Sequence, residues 1–104
     1  MSTNVLLHVN ALHTSDRSRA SFYQLLMENL WIKMHPVYTS WCCRYSDDVP
    51  DVVDEVVTEI KQLAAQAGVG ALHAVAQCGN SEAFWFEYDA ATRSDARPRS
   101  SRPT

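Results

Sequence analysis

A chain of 104 residues has room for one hydrophobic core and excludes a multidomain enzyme, because a domain of this size buries only about two-thirds of the surface that its unfolded form exposes. With 46% hydrophobic and 20% charged residues it has the composition of a globular domain, and its uncharged apolar runs fall far short of the roughly 20 residues that span a bilayer. The net charge is −3, and residues 1–88 hold five basic against ten acidic side chains, which argues against a broad basic groove for nucleic acid and leaves only local patches to meet a polyanion.

The elements follow in chain order. NVLLHVNAL, residues 4–12, alternates Val5, Leu7, Val9 and Ala11 with Leu6, His8 and Asn10, the period-two pattern of a strand with one buried face. In HTSDRSRASFYQLLMENL, Thr14, Ser15 or Asp16 can cap a helix, and Phe22, Tyr23, Leu26, Met27 and Leu30 recur at helical spacing, so an amphipathic helix of about four turns is expected. Trp31–His35 reads as a short extended segment stopped by Pro36, since proline lacks a backbone donor and disfavours helix in the residue before it. Val37–Tyr45 then alternates Val37, Thr39, Trp41, Cys43 and Tyr45 with Tyr38, Ser40, Cys42 and Arg44, a third extended segment rich in β-branched and aromatic residues.

Ser46, Asp47 and Asp48 end that strand, Pro50 suits a first helical turn, and Asp51, Asp54 and Glu55 sit where the helix dipole favours negative charge. Val52, Val53, Val56, Val57, Ile60, Leu63, Ala64 and Ala67 form the apolar face of this second helix, with Gly68 as its terminator. Ala71–Cys78 is a strand, Gly79–Glu82 a turn, and Ala83–Tyr88 an aromatic last strand. Residues 89–104 carry four arginines, two aspartates and almost no large apolar side chain, which predicts a disordered tail after a single domain spanning 1–88.

This order most simply gives an α+β fold, a ferredoxin-like βαββαβ antiparallel sheet with both helices on one face and an extra C-terminal strand. Two helices cover one face only. The other would expose Trp85, or else Phe84 and Phe86, together with part of the Trp41 strand, and an exposed patch of that size marks an interface. A homodimer is therefore expected, with Trp41, Phe84, Trp85 and Phe86 as its candidate interface residues.

In this order of elements, with HVNALHTSDRSR after the first strand and YTSWCC in the third, the chain resembles the small ferredoxin-like proteins related to the second CRISPR-associated protein family, among them VapD-type toxins and GhoS-type endoribonuclease antitoxins. The resemblance covers residues 4–88. It implies a nucleic-acid-acting scaffold whose final strand often joins a neighbouring subunit. Where catalytic members place a metal-binding aspartate this chain has Asn10, and an amide ligates a divalent cation more weakly than a carboxylate. The resemblance thus implies the scaffold more than the nuclease.

Two functions are expected on these grounds. One is a small nucleic-acid-acting factor of toxin or antitoxin endoribonuclease type, with His13 as general base beside Asn10, and with Arg17, Arg19, Ser40 and Arg44 contacting RNA or DNA. Against it, strand-end Asn and His commonly make turns, and arginines at a helix start are commonly solvated. The other is a catalytically inert protein-binding regulator of phage or plasmid type, gripping its partner with the acidic helix or a sheet edge. A small dimeric enzyme with a pocket between sheet and helices is a third use of the same element order. No metal or cofactor is called for: Cys42 and Cys43 point to opposite faces, and His8, His35, His73 and Cys78 show no ligand spacing. Three cysteines without a Cys-x-x-Cys spacing suit free thiols in the cytoplasm. The first residues lack the basic and apolar regions of a signal peptide, and no membrane partner is expected.

Overall fold

A computed structural model describes residues 3–34, 40–46, 49–91 and 99–100. The elements are β1 (Thr3–Leu12), α1 (Asp16–Glu28), β2 (Ile32–Lys33), β3 (Ser40–Tyr45), α2 (Val49–Ala67), β4 (Ala71–Cys78), β5 (Phe84–Asp89) and β6 (Arg99–Ser100). They form one antiparallel sheet in the order β2-β3-β1-β4-β5-β6 with two helices. This α+β architecture is compatible with a ferredoxin-like fold. Its strand order is not that of the four-stranded version, because β5 and β6 continue the sheet beyond β4. The expected residues 37–39 of the third strand, and His35 and Pro36 before them, lie outside the described residues. So do 92–98 and 101–104 of the tail; Arg99 and Ser100, however, pair with Trp85 and Phe84.

β1 occupies the centre, bonded to β3 on one side and β4 on the other. From Thr3 to Ala11 its side chains alternate between buried and exposed, and Leu12 is half-buried. Val5, Leu7, Val9 and Ala11 meet the core, and Leu7 and Val9 are completely inaccessible. The same core takes Trp41 from β3, Leu72, Ala74, Ala76 and Cys78 from β4, and Phe84 and Phe86 from β5. α1 adds Phe22 and Leu26, and α2 adds Val52, Val56, Ile60, Leu63 and Ala64. Burying each large side chain contributes about 1.5–3 kcal/mol, and all of this burial falls on one face of the sheet. Among the described residues, neither helix covers the opposite face, called the open face below.

Both helices end by the same device. Gly68, at φ 80°, follows α2, and the amides of Gly68 and Val69 reach the carbonyls of Ala65 and Ala64. After α1, Leu30 takes that position at φ 71°, with Leu30 and Trp31 amides bonded to Met27 and Leu26 carbonyls. This paired cap normally recruits glycine, because a side chain in the left-handed region is strained. Leu30 therefore leaves the helix. It is 77% exposed and Met27 49%, although helical spacing assigned both to the apolar stripe. The expected stripe of α2 is buried except for Val53, which is partly buried against the same core.

The open face corrects the expected interface. Trp41 is 0%, Phe84 7% and Phe86 1% exposed within the single subunit, because they alternate onto the helix-covered side of β3 and β5. Of the four candidates, Trp85 alone lies on the open side.

Candidate functional site

The β1–α1 connection is tightly held. Ser15 caps α1, its side chain accepting from the Ser18 amide at 3.1 Å. Thr14 Oγ1 donates to the Leu12 carbonyl at 2.6 Å and accepts from the Gly70 amide at 3.2 Å. Arg19 closes the loop from above: one guanidinium nitrogen meets Asp16 at 3.0 Å, and another reaches the Ala11 and Thr14 carbonyls, each at 3.4 Å. The side chain suggested as a phosphate contact is thus occupied with the loop. His13 stands at φ 49°, a left-handed position that histidine enters more readily than most residues, and it is exposed. Arg17 is exposed on α1.

Asn10 is exposed on the open face of β1, whereas α1 covers the other face. The sheet therefore separates Asn10 from Arg17 and Arg19, and these candidates do not converge as their closeness in sequence suggests. Arg44 is also distant from Asn10. It donates from Nε to Asn4 Oδ1 at 3.3 Å and pairs with Asn4 at the far end of β1, six residues or about 20 Å from Asn10 along the strand.

Strand register assembles a different group. Asn10 stands opposite His73, and His73 opposite Glu87. In the next row, His8 stands opposite Ser40 on one side and Val75 on the other, with Val75 in turn opposite Trp85. Directly opposed residues share a face, so two adjacent rows of the open face hold Glu87, His73 and Asn10, and Trp85, Val75, His8 and Ser40. His8 Nδ1 lies 3.2 Å from Ser40 Oγ. His8, Asn10, His73 and Glu87 are exposed, and Ser40 and Trp85 are half-buried. Below these rows runs an apolar band through Ile32, Cys42 and Leu6, with Ile32 65% exposed and Leu6 and Val75 each 46%. A groove of about 480 Å³ borders this band, lined by Asn4, Leu30, Ile32, Cys42, Cys43 and Arg44.

A second groove, about 600 Å³, follows α2 past Tyr45, Asp54, Glu55, Glu59 and Gln62. Glu59 organises its floor, accepting from Trp31 Nε1 at 2.7 Å and from the Tyr45 hydroxyl at 3.2 Å. Burial, reinforced by the Glu59 charge, pushes the Tyr45 phenol well above the usual tyrosine range and raises the Cys43 thiol as well. Burial alone raises Cys78. The cysteines are free, with Cys42 on the open side and Cys43 on the other. Among the described residues no three His, Cys, Asp or Glu side chains are grouped to hold a metal ion, and no helix is long and apolar enough to cross a membrane.

No family model, curated protein or solved structure matches the chain. These comparisons do not link it to the CRISPR-associated, VapD or GhoS proteins.

Proposed function

We propose that this chain is a small nucleic-acid-acting factor that presents the open face of its sheet to single strands. The observation that carries this reading is the gathering of His8, Ser40, Asn10, His73 and Trp85 in two neighbouring rows of one exposed surface. A half-exposed indole on a sheet is a platform for an unpaired base, worth about 1–3 kcal/mol per stacked base. The amide, hydroxyl and imidazole groups beside it supply hydrogen bonds to base edges or phosphate. Among the described side chains Arg44 adds a cation to the same face, so the electrostatic contribution from these residues is modest.

Fluorescence anisotropy with labelled single-stranded RNA, single-stranded DNA and duplex DNA in low salt tests the reading. Single strands should bind better than duplex, and Trp85→Ala should weaken binding by roughly 5- to 100-fold, the equivalent of one lost stack. Absence of binding in low salt refutes it.

A second reading, an inert protein-binding regulator, draws on the apolar band and on the acidic groove of α2, where Asp54 and Glu55 are exposed. A second copy covering Ile32, Leu6 and Val75 would make it a homodimer. Light scattering after size exclusion, combined with a negative anisotropy result, would favour this second reading.

A further inference from the structure

We infer that His8 and His73 form an acid–base pair for metal-independent cleavage of single-stranded RNA lying across the open face, a step that rests on the nucleic-acid reading above. The two histidines are diagonal neighbours on adjacent strands, since His8 lies two residues from Asn10 and Asn10 stands directly opposite His73. Diagonal cross-strand neighbours are about 7–8 Å apart. One phosphodiester fits between two such imidazoles with a hydrogen bond of about 2.6–3.2 Å to each.

Each histidine has a neighbour suited to its role. Ser40 Oγ, 3.2 Å from His8 Nδ1, can accept the Nδ1 proton, and in that tautomer the Nε2 lone pair is the basic one. Glu87 faces His73 from the strand beyond and is placed to orient its ring. Asn10, opposite His73 and two residues from His8, can donate its amide hydrogens to a non-bridging phosphate oxygen. Trp85 lies in the row of His8, beyond Val75, where a base stacked on it carries the chain over the two rows.

The step balances without a co-reactant. His8 takes the proton of a ribose 2′-hydroxyl as the 2′-oxygen bonds to phosphorus. The bond from phosphorus to the 5′-oxygen breaks, and imidazolium His73 gives that oxygen its proton. The products are a 2′,3′-cyclic phosphate and a 5′-hydroxyl, and exchange with water returns both rings to their starting states. This assigns the base to His8, on the open face, rather than to His13 in the loop.

The test uses the whole chain with a labelled single-stranded RNA and the same oligonucleotide as DNA, both in the presence of EDTA. The inference expects RNA to be cut to cyclic-phosphate ends while DNA is bound and left intact. His8→Ala and His73→Ala should each lower the cleavage rate, measured with the RNA saturated by protein so that weaker binding does not count, by about 100-fold or more, with one limb of a bell-shaped pH profile lost in each. RNA that is bound but not cut, or cut equally well by both variants, overturns the inference and leaves the binding face standing. Failure to bind either oligonucleotide overturns both.

Discussion

Gly70 joins the β1–α1 loop to the rest of the fold, and Gly70→Ala measures how tightly. A Cβ at this position would overlap the His13 carbonyl oxygen and lie 3.3 Å from the His13 carbonyl carbon and 3.5 Å from the Leu12 carbonyl oxygen. All three are backbone atoms, so no side chain can swing aside, and the loop must retreat by about 1 Å to restore ordinary contact. That movement pulls on the Gly70 amide bond to Thr14 and on the Ala90 amide bond to the Gly70 carbonyl. Overpacking costs about 1–3 kcal/mol and a lost hydrogen bond about 1 kcal/mol, so the variant should lose about 2–4 kcal/mol. In a domain of this size that is a fall in Tm of roughly 10–25 °C, read by circular dichroism. Gly68→Ala provides the contrast. Gly68 has the positive φ, but among the described residues its added Cβ would meet only the Ser18 hydroxyl, at 3.2 Å, and the change should cost about 1 kcal/mol. If Gly68→Ala proves the more damaging, or if Gly70→Ala melts within about 3 °C of the parent, the close approach at His13 is wrong.

Other changes probe separate parts of the account. Leu30→Gly relieves a left-handed leucine that is 77% exposed and should raise stability by about 0.5–1 kcal/mol in urea titration; a loss would mean that the Leu30 side chain supports the fold. Trp31→Phe removes the 2.7 Å bond to Glu59 and should cost at least about 1 kcal/mol more than Trp41→Phe, whose Nε1 is buried without a partner among the described residues; equal losses would contradict that difference. At alkaline pH the unfolded chain ionises tyrosine at about pH 10, while folded Tyr45 holds its proton to higher pH. Its contribution to stability is therefore complete below that pH and is lost as pH rises beyond it. Tyr45→Phe should flatten the fall in Tm above about pH 10, and an unchanged slope would show that Tyr45 is not responsible.

Much of the scaffold could be read locally. The alternation of residues 4–12 is the burial pattern of β1, the valine-rich stripe is the buried face of α2, and Ala71–Cys78 is β4 to the residue. Alternation states which side chains share a face, but not which face the helices cover. Aromatics occupy both parities of β5, so Phe84 and Phe86 could not be separated from Trp85 before the sheet was known. Trp41 turns inward because β3 pairs it with Leu7, a core residue of β1. At Leu30 the helical spacing continues past the point where Asn29 caps the helix, so a periodic apolar residue ends in solvent.

The candidate site shows the same division. His8 and Asn10 already shared a face by alternation, but their company with His73, Ser40 and Trp85 depends on pairing between strands far apart in the chain. That register is a tertiary property. His13, Arg17 and Arg19 were grouped because they are close in sequence, and the sheet between Asn10 and α1 divides them.

The most direct test of the open face is a titration of the isotope-labelled protein with single-stranded RNA, followed by amide and side-chain NMR shifts. Changes should concentrate at His8, Asn10, Ser40, His73 and the Trp85 indole, while the buried Trp31 and Trp41 indoles stay still. Shifts confined to Asp54, Glu55 and Glu59 along α2, or no shifts at all, would contradict it.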